Sequence, residues 1–154
     1  MKLNKLKSTI RDVKFGENCT VMEPSNLYEC ELGNNIFIGP FVEITKGVKI
    51  GNNTRVSSHS FICEMVTIGE NCFIAHGVMF TNDLFKDGKI INDSSRWFKT
   101  NIGDNVVIGS NSTILPVNIS SNIVIGAGSV VTKNLEVSGT YAGNPAKLIR
   151  KFNS

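Results

Sequence analysis

Two histidines, a glutamate and an asparagine–aspartate pair carry the types and spacing that could do acid–base work: His59, Glu64, His76, Asn82 and Asp83. An imidazole exchanges a proton near neutral pH, which suits it to act as a general base. A carboxylate or an amide carbonyl can hold an amine and aim its lone pair. By type and place, Asn82 and Asp83 suit that holding role. A cluster of such groups in one cleft is a candidate site.

What must position these residues is a repeat. Every sixth residue is apolar at Ile38, Ile44, Ile50, Val56, Ile62, Ile68, Ile74 and Phe80, again at Ile102, Ile108 and Ile114, and again at Ile119, Ile125 and Val131. Six fits neither a helix nor a simple strand alternation. It is the period of a parallel β-helix, an all-β solenoid in which three hexads make one triangular turn of about 18 residues. Turns stack at the ordinary strand spacing of about 4.8 Å. The second place of many hexads is Gly or Ala, as in Ile108-Gly109 and Ile125-Gly126. The fifth is small or β-branched: Val42, Val48, Thr54, Ser60, Val66, Cys72, Val78, Val106, Ser112 and Ser129. Asn and Gly crowd the places between, where tight corners need left-handed backbone angles. Two repeats are one residue short, Leu27 to Leu32 and Ile114 to Ile119. In both, the residue two before the next anchor is apolar (Cys30, Val117), so they read as shortened corners. With Phe15, Val21 and Leu27 as an earlier turn, about six coils cover residues 13–136.

The same counting places the candidates. One turn above His59 is Gly77, and one turn below His76 is Ser58, so the imidazoles are expected at one corner on successive turns. Asn82 falls one turn above Glu64. All five residues are therefore expected together on two adjacent turns. Next to them the repeat breaks. The anchor due at 86 arrives at Ile102, sixteen residues late. The segment 83–101 is polar, keeps no hexad, and reads as a loop ejected from a corner. Loops of this length in compact domains are usually functional or disordered. This one carries the single Trp, Trp97, between Arg96 and Phe98. It reads either as a surface loop docked on the coil or as a flap over a substrate, with Arg96 and Trp97 as substrate contacts.

Length and composition narrow the classes. The 154 residues are read as one domain, 1–154, with a net charge of +3 from 16 Lys+Arg against 13 Asp+Glu. The basic excess sits at the ends: Lys2, Lys5, Lys7 and Arg11, then Lys147, Arg150 and Lys151. That is too sparse for a nucleic-acid stripe. No 18-residue apolar run exists, so no membrane span is expected, and the N-terminus lacks the apolar region of a signal peptide. The four cysteines are expected to be free thiols in a reducing cytoplasm. Cys19, Cys30 and Cys72 fall at inward places. Outward apolar residues such as Phe61, Phe73 and Met79 mark a subunit-facing stripe.

The hexads resemble the left-handed β-helix of hexapeptide-repeat acyltransferases, and the left hand comes from that resemblance alone. The runs Ser57-Ser58-His59-Ser60-Phe61-Ile62-Cys63-Glu64 and Ile74-Ala75-His76-Gly77-Val78-Met79-Phe80-Thr81-Asn82-Asp83 resemble those of bacterial nucleotide-sugar N-acetyltransferases. These act on the 3-amino group of dTDP-3-amino-3,6-dideoxyhexoses or of related UDP sugars, for surface polysaccharide. The resemblance implies acetyl-CoA as co-substrate, a homotrimer with sites between coils, and Asn82 near the reacting amine; Glu64 and Asp83 of the polar cluster are read as acceptor contacts. The resemblance leaves open whether a histidine is the base or the amine loses its proton through the thioester sulfur or water; as base candidates His76 stands first and His59 second.

It also implies that the small residues Gly109, Ser110, Gly126 and Ala127 wall the pantetheine arm, and that Asn144-Pro145 closes over the adenine end. Lys133, Lys147 and Arg150 would then meet phosphates. Leu148, Ile149 and Phe152 also suit a short C-terminal helix or cap over the solenoid's open end. The loop departs from its relatives, having Asp-Leu-Phe-Lys-Asp-Gly-Lys-Ile where many carry a Pro-Arg pair. No metal is expected, because a zinc site of the γ-carbonic anhydrase type needs three histidines and this chain has two. The remaining alternatives are an acetyltransferase for a 4-amino sugar or another small acceptor, and a non-catalytic β-helix scaffold.

Overall fold

Three parallel sheets form the sides of a triangular prism in the computed structural model, which describes residues 10–86, 88–90 and 93–153. Lys2, Lys5 and Lys7 lie outside the described residues. The first side stacks Lys14–Phe15, Glu31–Leu32, Lys49–Ile50, Val66–Ile68, Thr100–Ile102 and Asn118–Ile119. The second runs from Thr20–Val21 up to Ile123–Ile125, and the third from Asn26–Leu27 up to Val130–Val131. Six coils are complete. A seventh begins where Leu135 bridges Ile119 and where Gly139–Ala142 pairs with Ile123–Ile125.

The anchors drive this winding. From Leu27 to Val131 they form one continuous buried core. Phe15, on the open end, stays 40% exposed. The fifth places are compact for a second reason besides volume: their hydroxyls bond the neighbouring turn. Ser60 donates to the Ala75 carbonyl at 2.9 Å, Thr54 to Gly69 at 3.0 Å and Ser112 to Gly126 at 3.1 Å. The small second place is a matter of clearance. A Cβ on Gly109 would stand 2.5 Å from the Ala127 nitrogen of the next turn.

Both shortened corners keep the core. Phe15 pairs with Leu32, Ile102 pairs with Ile119, and Cys30 and Val117 are buried. The interruption is absorbed as expected, since Ile68 pairs directly with Ile102 across the ejected loop. The C-terminal cap is a strand rather than a helix. Lys147–Lys151 runs antiparallel to Gly139–Ala142 and closes the upper edge of the second side. Arg150 lies over Phe152 at 5.5 Å.

Between the first and second sides the corner is held by asparagines in the left-handed region. Asn35 donates to Asn53 at 2.9 Å, and Asn53 donates to Asn71 at 3.2 Å. Asn53 has φ 57°. Asn53→Ala breaks two rungs and puts a Cβ without a local hydrogen bond where left-handed angles are costly. We expect a loss of about 2 kcal/mol in urea unfolding. Asn53→Gly is expected to lose less, because glycine keeps the backbone angle open.

Candidate functional site

The corner between the third and first sides opens into a cleft of about 360 Å³ beneath the ejected loop. One column of successive turns, Tyr28, Thr45, Cys63 and Thr81, forms its floor. Phe61, Phe80, Phe85 and Trp97 supply apolar walls, and Glu64, Asn82 and Asp83 supply polar ones. Phe61 pairs with Met79 of the next turn.

Asn82 sits where the coil ends and the loop begins. Its side-chain amide donates to the Glu64 carbonyl one turn below at 3.3 Å, and its own carbonyl accepts from the Phe98 N–H at 2.9 Å. The second bond ties the two ends of the loop together. Asp83 accepts the Phe85 N–H at 2.8 Å and so turns the outgoing chain. On the return, Ser94–Arg96 forms a short 3-10 turn capped by Asp93, and it delivers Trp97 into the cleft wall. Arg96 is exposed and outside that wall. Lys86 covers the Phe98 ring at 4.5 Å.

The charge of the cleft is negative. Glu64 and Asp83 line it, and among the described lining residues there is no lysine or arginine. Burial, followed by the charges of Glu43 and Glu64, pushes the Tyr28 phenol above its usual value. Burial also pushes the Cys63 thiol up to about 12, so this cysteine is a neutral wall atom and not a nucleophile. All four cysteines are free, with Cys30, Cys63 and Cys72 buried.

The structure divides the single cluster read from the sequence. His59 and His76 do share a corner on successive turns, as the Gly77 N–H donating to the Ser58 carbonyl at 3.0 Å shows. That corner lies between the second and third sides. Asn82, Asp83 and Glu64 stand at the next corner, beyond the strand Met79–Phe80. Counting by 18 fixes height, but one hexad is one side of the prism. Six residues from His76 to Asn82 therefore cross a whole face.

The histidine corner holds most of the other candidates instead. The Asn111 N–H donates to the His76 carbonyl at 2.8 Å, and the Gly128 N–H donates to the Ser110 carbonyl at 2.8 Å. These bonds stack His76, Ser110 and Ala127 in one column with Gly109 and Gly126 beside it. Asn144 and Pro145 lie at the top of the same corner, where the Gly143 carbonyl accepts from Val130 and the Ala146 N–H donates to Val130. Lys147 and Arg150 follow on the capping strand, both exposed. Lys133 is separated from this group. It follows Val130–Val131 and stands on the Asn82 corner. His59 is exposed and stacks on Phe41, with ring centroids 4.9 Å apart. His76 lines a smaller cavity of about 130 Å³ with Pro40, Ser57 and Ser58.

Tyr28, Thr45, Cys63 and Thr81 were not foreseen as site residues. Counting down from Thr81 by whole turns, with one shortened corner, reaches all three others. The signal was present but weak, because each follows an anchor, a place that the repeat marks only as one where Gly and Ala are common.

Known proteins share both the repeat and the coil. Residues 29–64 match the model of the bacterial transferase hexapeptide, and residues 99–133 match the hexapeptide repeat of succinyl-transferase. The bifunctional protein GlmU of Clostridioides difficile is 38% identical over 99 residues, covering 64% of this chain and 19% of that protein. The chain thus spans about a fifth of the length of the curated relatives it matches.

Among solved structures, a variant of AntD, an N-acyltransferase from Bacillus cereus bound to dTDP and coenzyme A, superposes with a TM-score of 0.80 at 20% identity. That match covers 91% of this chain and 84% of AntD. A galactoside acetyltransferase in complex with coenzyme A gives a TM-score of 0.67 at 31% identity, covering 93% of this chain and 66% of that one. Among the described residues no helix is long and apolar enough to cross a membrane. The chain thus matches hexapeptide-repeat models over residues 29–64 and 99–133 and shares its fold with these solved acyltransferases.

Proposed function

We propose that this chain is an acetyl-CoA-dependent N-acetyltransferase whose acceptor is the 3-amino group of a nucleotide-linked amino-deoxyhexose. The observation that carries this reading is the cleft beneath the loop. It is walled by aromatics, edged by Glu64 and Asp83, and has Asn82 at the point where the loop leaves the coil. Apolar walls suit the faces of a deoxy sugar ring, and a negative rim suits an amine that arrives protonated. Coenzyme A in the galactoside acetyltransferase, and dTDP with coenzyme A in AntD, support the pairing of this fold with those two ligands.

The reaction has a defined balance. The acceptor ammonium loses a proton, and the free amine attacks the thioester carbonyl. A tetrahedral oxyanion forms, its nitrogen gives up a second proton, and it collapses to the amide while the thiolate leaves and takes up that proton. Asn82 and Asp83 hold the amine. His76 receives its proton, with His59 second choice. The small residues Gly109, Ser110, Gly126 and Ala127 form the wall along which the thioester arm lies, the Gly109 and Gly126 N–H groups being bonded to the Ile125 and Tyr141 carbonyls within the coil. Within one chain these two halves occupy different corners, so the reading includes a homotrimer in which the histidine corner of one copy meets the loop cleft of the next. The exposed apolar residues Phe41, Phe73 and Met79 support that packing, while the first side carries the charged pairs Lys14–Glu31 and Lys49–Glu31.

The direct test is release of free coenzyme A thiol from acetyl-CoA against 3-amino and 4-amino dTDP and UDP sugars. We expect turnover with a 3-amino acceptor. Turnover confined to 4-amino sugars would move the acceptor assignment, and release with none of them would favour a scaffold.

A further inference from the structure

We infer that Thr45 is a specificity-determining residue of the loop cleft, its hydroxyl kept to hydrogen-bond a ring hydroxyl of the acceptor next to the amine. This rests on the reading of the cleft as the acceptor site. Thr45 is 6% exposed and lines the cleft between Tyr28 one turn below and Cys63 one turn above. Its Oγ1 has no hydrogen-bond partner among the described residues.

That is unusual for this chain. The buried hydroxyls of Ser25, Thr54, Ser60, Ser112 and Ser129 each donate to a backbone carbonyl. Thr81, in the same column as Thr45, reaches the Ile114 carbonyl at 3.5 Å. Thr100 Oγ1 and Asn26 Oδ1 are also buried without a partner, but neither lines this cleft. A buried polar atom left unpaired destabilises a fold, so it calls for an explanation. The cleft supplies one: Thr45 lines it with Glu64 and Asn82, and rotation about its Cα–Cβ bond brings the enclosed Oγ1 toward a seated ligand. A hydroxyl both donates and accepts, so it fits an alcohol of the sugar ring. A site built to bond an alcohol discriminates against the analogue that lacks it.

The test pairs stability with kinetics. Thr45→Val keeps the shape and removes only the hydroxyl, while Thr45→Ser keeps the hydroxyl. The probes are a dTDP-3-amino-3,6-dideoxyhexose and its 2-deoxy and 4-deoxy analogues. Thr45→Val is expected to hold or raise Tm, where Thr54→Val lowers it. It is expected to lower kcat/KM on the parent sugar roughly 10- to 100-fold, mostly through KM, and to make no further difference on one deoxy analogue. Thr45→Ser is expected to keep most of the parent activity. A lower Tm for Thr45→Val would show that the hydroxyl is bonded within the protein and would overturn the inference. Equal losses on all three sugars, or none, would overturn it as well. If wild type neither turns over nor binds any amino sugar, the acceptor reading itself fails and takes this one with it, an outcome distinct from selective failure of the variant.

Discussion

Asn82→Ala is expected to lower kcat on a 3-amino sugar nucleotide by about 10²- to 10³-fold, the usual size of effect when a preorganised polar group at a reacting centre is removed. Two features of its position separate chemistry from folding. Asn82 is half-buried at the rim and contributes no side chain to the core. The bond that closes the base of the loop uses its backbone carbonyl, which alanine retains. The side chain's own bond, to the Glu64 carbonyl at 3.3 Å, is long and single. Unfolding midpoints of the variant should therefore stay close to wild type while turnover collapses. Asn82→Asp supplies the contrast. It keeps size but adds a third carboxylate beside Glu64 and Asp83, which should tighten the ammonium form of the acceptor and slow its deprotonation. Its pH–rate profile should shift to higher pH. Full turnover in Asn82→Ala would take the residue out of the site.

The parts of the molecule legible in its sequence divide from the rest along physical lines. The coil was legible because a buried anchor every sixth residue is a repeated, one-dimensional demand that few folds satisfy. Ile38, Ile74 and Ile108 are fully enclosed for the same reason. The shortened corners at Cys30 and Val117 and the expelled segment before Ile102 were legible because register must resume after each. The C-terminal cap was legible as a cap but not as a strand. Leu148, Ile149 and Phe152 suit either form, and the choice fell to the open backbone edge of Gly139–Ala142, which a strand satisfies and a helix does not. The candidate site was legible in height and not in azimuth. His76 and Asn82 are neighbours in count and strangers across a face. Thr45 and Tyr28, far apart in sequence, share a wall because whole turns separate them. The winding hand came only with the family resemblance.

If the histidine corner of one chain serves the loop cleft of another, then His76→Ala and Asn82→Ala damage different halves of a shared site. Each variant trimer alone should be nearly inactive, since loss of a general base costs about 10²- to 10⁴-fold. Unfolding the two together and refolding them at equal concentration should regain activity. A site works when an intact His76 corner meets an intact Asn82 cleft, which random assembly gives in roughly a quarter of sites. Recovery to about a quarter of wild-type turnover is thus expected, a gain of more than tenfold over either parent. Refolding either variant with itself is the control. If the mixture stays as inactive as its parents, the two halves belong to one chain or do not cooperate. Because Met79–Phe80 holds those corners on opposite ends of one face, full turnover in the His76→Ala parent itself would remove His76 from the reaction and leave Asn82 to act with a group already inside the cleft, such as Glu64 or Asp83.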